Sequence, residues 1–481
     1  MESIKKIIIF SLVLLCIPTV VYAVPDKPPG ESGGAPGNSN DVSYNGANTI
    51  TFDTNEEGKN FSSTTGGENS LLVSGGTSTL TNCSFSKVGD SSGDNADFYG
   101  TNAAVLTYNG GVLNIKGGNI TTNGSHANAV FAYSNGTINI SDAKINTTSN
   151  NSGGVMVTGG GTINADNLTV KTLGNSSAAI RSDRGGGTLT VNKGTYETNG
   201  MGSPAIYSTA NIIVNDANLI SNSSEGIVIE GKNSVTLTNT KVEDTNNTLN
   251  GNSETYKNIF IYQSMSGDAD VGEATFKATD SKFITNKGDT IFVTNTKTTI
   301  ELENNTITNN DGDFLRVQAG KWGNEGSNGG DVTLNMTNQK VTGNVVLDNI
   351  STLNLNMKDK SVLIGAINNA STAKNISVTL SEDSILSLTN DTYLSSLNNS
   401  KTDNSNIYSN GKYKLYVGGE EVSINSGNYE EEKNTTTKEK EDNKKVEDEN
   451  NYLYYIFGGM GVALLVVVII IIIKKKKKQV Y

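Results

Sequence analysis

Apolar residues along this chain recur in one short pattern, apolar-x-apolar-x4-apolar, spaced by tens of residues. It appears as Leu113, Ile115, Ile120, then Ile138, Ile140, Ile145, then Ile163, Ala165, Val170. It continues as Leu189, Val191, Tyr196; Ile212, Val214, Leu219; and Val235, Leu237, Val242. Further copies are Phe276, Ala278, Phe283; Ile300, Leu302, Ile307; Leu334, Met336, Val341; Leu355, Met357, Val362; and Val378, Leu380, Ile385. Leu80 with Phe85 makes an imperfect earlier copy. Most steps lie near 24 residues, and the steps of 41 and 34 read as loops inserted into one turn. Alternation of period two predicts strands. A unit this small cannot bury its apolar side alone, but stacked units can, which predicts a parallel β-helix.

A second strand precedes each copy by about ten residues, centred on Val105, Val130, Val155, Ile180, Ile206, Ile227, Phe260, Ile291 and Leu315. Turn residues separate the two, for example Asn109-Gly110, Asn135-Gly136 and Gly185 to Gly187; both residue types accept left-handed backbone angles. The fold expectation is therefore all-β: a right-handed parallel β-helix of about 12 rungs, plus one C-terminal transmembrane helix. Val42 to Phe61 and Lys412 to Val422 are the expected end caps.

The ends suggest a compartment. Residues 1–23 have Lys5 and Lys6, an apolar stretch and small residues at Val21 and Ala23, the layout of a secretory signal. Residues 24–41 form a Pro/Gly linker and 42–428 the β-helix ectodomain. Residues 429–451 form a charged stalk, 452–473 a membrane span and 474–481 a basic cytoplasmic tail starting with Lys474 to Lys478. The expected localisation is the cell membrane, single-pass, with the ectodomain outside.

Composition narrows the chemistry. The 481 residues carry a net charge of −12, and the basic residues at both ends leave an acidic body, which disfavours nucleic acid as a partner. One His and two Cys leave little material for zinc sites or cysteine–histidine nucleophiles, and no cofactor is expected.

If Val105 and its equivalents point inward, their neighbours point out. One outward row then reads Leu106, Phe131, Met156, Arg181, Tyr207, Val228, Ile261, Phe292 and Arg316. The next reads Tyr108, Tyr133, Thr158, Asp183, Thr209, Glu230, Gln263, Thr294 and Gln318. From these rows Phe131, Tyr133, Arg181, Asp183, Tyr207, Glu230, Gln263, Phe292 and Arg316 are the candidate ligand-binding face. An open face suits a glycan or a surface protein of another cell. An inserted loop, 243–257 or 319–331, folded over the rows would instead bury them, and a misread alternation is the third possibility.

Several segments resemble the pectate-lyase-like right-handed β-helix superfamily, and specifically the secreted adhesin-like β-helix proteins of gut microbes. They are SHANAVFAY (Ser125 to Tyr133), AAIRSDRGGGT (Ala178 to Thr188), SPAIYSTA (Ser203 to Ala210), EGIVIEGKNSV (Glu225 to Val235) and YQSMSGDADVG (Tyr262 to Gly272). The resemblance covers roughly residues 42–425 and implies surface display or adhesion, with no catalytic residues to carry over. The alternatives are a polysaccharide lyase, with Arg181 as base and Asp183 beside it, and an inert structural spacer. Two acidic pairs, Asp268 with Asp270 and Asp311 with Asp313, are weak calcium candidates in turns. His126 lacks any sequence partner, Cys83 reads as a small buried rung residue, and Trp322 as a contact residue or a loop anchor.

Overall fold

The computed structural model describes residues 42–430, apart from 251, 252 and 265. The expected signal, the linker, nearly all of the stalk, the membrane span and the basic tail lie outside the described residues. Among the described residues no helix is long and apolar enough to cross a membrane.

One turn shows how the sequence makes the fold. Val130–Tyr133, Thr137–Ser141 and Lys144–Thr147 are its three strands. Ser134 and Asn135, with φ of 46° and 61°, turn the first corner, and Asp142, with φ of 54°, turns the second. The third corner runs through Asn151, φ 53°. Each strand then pairs in parallel with its equivalent one turn on, so that Phe131 meets Met156, Ile138 meets Ile163, and Ile145 meets Val170. Repetition gives a parallel β-solenoid of the right-handed type with about 15 turns.

A 12-stranded front sheet runs from Thr49–Ile50 to Val345–Leu347, and a 22-stranded sheet holds the two other strands of most turns. The left-handed second corner is filled in successive turns by Asn82, Gly117, Asp142, Asn167, Lys193, Asp216, Asn239, Asp280, Asn304 and Asn338. This position falls within the x4 gap of the repeat, which is why Asn and Asp concentrate there.

The interior is a set of ladders. Ile138, Ile163, Leu189, Ile212, Val235, Phe276, Ile300, Leu334, Leu355 and Val378 stack in register. Nearly all are inaccessible to solvent. Polar ladders finish the corners. Ser152 Oγ accepts from Ala127 N–H at 3.0 Å, Ser177 Oγ from Ser152 N–H at 2.9 Å, and Ser203 Oγ from Ser177 N–H at 2.9 Å. Removing one hydroxyl leaves a buried N–H unpaired, so Ser177→Ala is expected to cost about 1–3 kcal/mol in chemical denaturation. On the outer surface Asn114, Asn139 and Asn164 bond side chain to side chain at 2.9 Å per step.

Three sequence expectations change. The turn count rises from 12 to about 15 because the end turns lack the full pattern. Thr49–Ile50, Thr54–Glu57 and Asn60–Ser63 make a complete first turn despite the polar residues of TNEE, so Val42 to Phe61 is more than a cap. At the other end Leu415–Val417 pairs in parallel with Thr392–Leu394 and antiparallel with Glu420–Val422, a hairpin that terminates the stack. Register also shifts twice. Ile227 aligns with Ile259 and Val228 with Phe260, so Ile259 and Ile261 face inward while Phe260 and Tyr262 occupy the outward rows. Val341 aligns with Leu363 and Leu363 with Leu386, because Asp359 and Lys360 together make a corner one residue longer. The step of 41 residues holds two insertions, before Lys257 and after Tyr262, and the step of 34 holds the segment after Val317.

Candidate functional site

The outward rows of the front sheet share one face, and that face is roofed. At its N-terminal end Leu72, Leu106, Phe131, Tyr133 and Met156 pack beneath Tyr99, Ala103, Val42 and Tyr44. Phe131 is wholly inaccessible and Tyr133 is 6% exposed. Tyr44 stacks on Tyr108 at 4.3 Å between ring centres, and Tyr99 meets Tyr133 edge-on at 5.5 Å.

The cover here is the short helix Asp94–Tyr99, which leaves through Gly100 in a left-handed conformation. A Cβ on Gly100 would lie 2.7 Å from the Phe131 ring, so glycine is required twice over. The helix is fastened from three sides. Thr158 Oγ1 donates to Phe98 O at 2.6 Å, His126 Nδ1 lies 2.7 Å from Asp97 Oδ1, and the Arg184 guanidinium sits 4.0 Å from the Phe98 ring centre. His126, which has no partner in sequence, thus finds Asp97 and, through Nε2, Asn151.

In the middle of the face the segment after Tyr262 closes over a polar cluster. Arg181 Nη2 donates to Asp183 Oδ2 at 2.8 Å, and burial pushes the Asp183 carboxyl up from its ordinary value while Arg181 opposes that. Arg184 Nε donates to Asp268 Oδ1 at 2.6 Å, and Lys232 pairs with Asp270 at 2.7 Å. Glu230 is 1% exposed. Its Oε2 accepts from Tyr207 Oη at 2.5 Å and Tyr262 Oη at 3.0 Å, and its Oε1 accepts from Ser264 Oγ. Burial pushes the Glu230 carboxyl up to about 7, against those hydrogen bonds. Gln263 belongs to this cover and not to the face: it is 7% exposed and donates to Ser264 O and Ala269 O.

Further along, Val228, Phe260, Tyr262 and Phe292 form a third buried cluster, with Tyr207 and Trp322 packed against it. Phe260 stacks on Tyr262 at 4.4 Å and on Phe292 at 5.6 Å. Beside them Lys257 is buried against Glu225, with 3.2 Å between Nζ and Oε1. Arg316 is held by Asp289 and Asp313, each at 2.6 Å. Apart from Gln263, whose place in its row is taken by Tyr262, the predicted residues line one face, and Phe260 stands where Ile261 was expected. From Leu72 to Phe292 the face is a buried interface between sheet and cover, whereas Arg316 beyond it stays partly exposed. Of the loops expected to cover it, 319–331 contributes Trp322; the helix and the Tyr44 segment were not foreseen.

Of the four calcium candidates, Asp268, Asp270 and Asp313 each face a cation, and Asp311 is exposed in its turn. Among the described residues no group of three or more His, Cys, Asp or Glu could hold a metal ion. Cys83 is buried, its thiol 3.5 Å from Thr81 O.

A larger open surface lies on the long sheet. A groove of about 680 Å³ crosses six turns. Its floor is made by outward residues of the long sheet: Lys277, Glu301, Asn335, Asn356 and Thr379 in one row, and Glu303, Thr337, Lys358 and Ser381 in the next. Lys277 and Glu301 pair at 3.1 Å with both side chains near half exposed, and Asn356 donates to Asn335 at 2.9 Å. Sequence reasoning passed over these positions because each is an ordinary outward strand residue; only the stack makes them a surface. Comparison with known protein families, with curated proteins and with solved structures finds no match to this chain.

Proposed function

We propose that this chain is a cell-surface, membrane-anchored adhesin-like β-solenoid of the pectate-lyase-like kind, and that it binds an extended neutral glycan of another cell along the groove. The observation that carries the reading is the groove itself, an open channel of about 680 Å³ floored by amide, hydroxyl and paired charged side chains. Amides and hydroxyls both donate and accept, which matches sugar hydroxyls. The balance of Lys277 against Glu301 leaves no strong field to select an anionic polymer. Turns repeat at roughly 4.8 Å, so an extended polymer along the axis meets equivalent groups at each step.

Full-length protein on a glycan array is expected to retain neutral polysaccharides. Asn335→Ala with Asn356→Ala is expected to weaken that binding at least tenfold, about 1.4 kcal/mol, with unchanged circular dichroism. Binding that survives this double substitution, or none to any glycan, would overturn the reading.

A further inference from the structure

The groove on the long sheet has a fixed length as well as a chemistry. Each turn contributes two outward polar positions to its floor, two residues apart on one strand. Parallel pairing keeps them in register, so that Asn335 lies beside Asn356 and Thr337 beside Lys358. Across the groove the two rows stand about 7 Å apart, two residues at roughly 3.3 Å each, and along it each turn advances by about 4.8 Å.

The fold sets both ends of this track. Its sixth turn holds Ser396–Asn399, which pairs with Asn375–Leu380 and, among the described residues, with no strand beyond. The chain then passes to the hairpin of Leu415–Val417 and Glu420–Val422, in a different sheet. At the other end, the row that holds Lys277 runs back to Thr236 and then to Ile213, where an apolar side chain interrupts it.

We propose that the groove is a row of six subsites, one sugar per turn, for a β-1,4-linked polysaccharide of glucose, mannose or xylose. The inference rests on the neutral-glycan reading above and adds the linkage and the length. These sugars join through equatorial bonds, so their chains are straight ribbons in which each residue advances by nearly one turn of the solenoid. Each ring carries polar groups along both edges of the ribbon, and the two floor rows meet one edge each with groups that donate and accept. An α-1,4 linkage curls the chain into a helix, which lifts successive rings off a straight floor.

Full-length protein is titrated by calorimetry with β-1,4-linked oligosaccharides of the three sugars, from two to eight units, and with α-1,4-linked glucose of the same lengths. With at least one β-1,4 series, affinity is expected to rise about two- to tenfold per added sugar, the worth of one net hydrogen bond, and to level off at six. The α-1,4 hexasaccharide is expected to bind at least tenfold more weakly. Thr379→Val with Ser400→Ala strips hydroxyls from the last two turns and is expected to bring the plateau down to four or five sugars. A plateau at another length in the parent, a loss in that variant that is equal at every length, or α-1,4 binding as tight as β-1,4 overturns the inference. So does a neutral glycan retained on the array while no β-1,4 series binds; in each of these cases the neutral-glycan reading stands. Binding to no neutral glycan at all overturns that reading, and the six subsites with it.

Discussion

Replacing Phe131 with Ala is expected to lower stability by about 3–5 kcal/mol, the usual result of emptying a filled aromatic site. The ring is inaccessible, packed between Leu106, Met156 and the residues around Gly100. The loss should be local. A solenoid's turns contact chiefly their neighbours, so amide exchange should accelerate in residues 94–108 and 130–133 and stay slow beyond Val345. Because the side chain faces a cover and not solvent, glycan binding along the groove should be unchanged. A variant as stable as the parent would mean that the helix does not press on this face.

The second large effect is a dependence on pH that runs opposite to ordinary acid denaturation. Glu230 is pushed from an ordinary value of 4.5 up to about 7, and Asp244 from 3.8 up to about 8, both chiefly by burial. In each case the folded state keeps a proton that the unfolded chain has released. Between about pH 4 and 8 the native state therefore binds more protons, and stability falls as pH rises through that window. For Glu230 the full change is on the order of 3 kcal/mol. Asp244, whose shift is the larger and whose Oδ2 is buried without a hydrogen-bond partner, adds more. Glu230→Gln should flatten the lower part of the profile, up to about pH 7. Asp244 stacks between Ser221 and Thr285 in register, so Asp244→Thr restores a run of hydroxyls and should raise stability at pH 9. Denaturant unfolding from pH 5 to pH 9 checks both; a stability that rises over that range would contradict the burial of these carboxyls.

The interior of the fold was legible because stacking imposes the same requirement on every turn. Ile138, Ile163 and Leu189 are written at the same phase since each must lie on the one before. Parity failed where the local pattern carries none. KNIFIY is buried at all six positions, so alternation cannot say whether Phe260 or Ile261 faces the core. It failed again at Asp359 and Lys360, where two left-handed residues replace the usual one. The outward aromatic row was visible as an anomaly, but its cover was not. The helix sequence DNADFY is mostly polar, and its anchors lie far away, with Arg184 about 90 residues on from Asp94. Asp268 reaches Arg184 across 84 residues of sequence. Contacts of that separation leave no periodic trace. The groove was invisible for the opposite reason: its residues obey the repeat perfectly, and concavity belongs to the stack.

On the reading proposed above, the front face is closed at Lys257 and a glycan meets the protein in the groove. Lysine reactivity tests it most directly. Lys277 and Lys358 line the groove and are exposed, whereas Lys257 is buried beneath the front cover. In full-length protein an amine-reactive label should modify Lys277 and Lys358 readily and Lys257 hardly at all, and a bound neutral polysaccharide should protect the first two. Rapid labelling of Lys257 without ligand, or a polysaccharide that leaves Lys277 and Lys358 unprotected, would contradict the account.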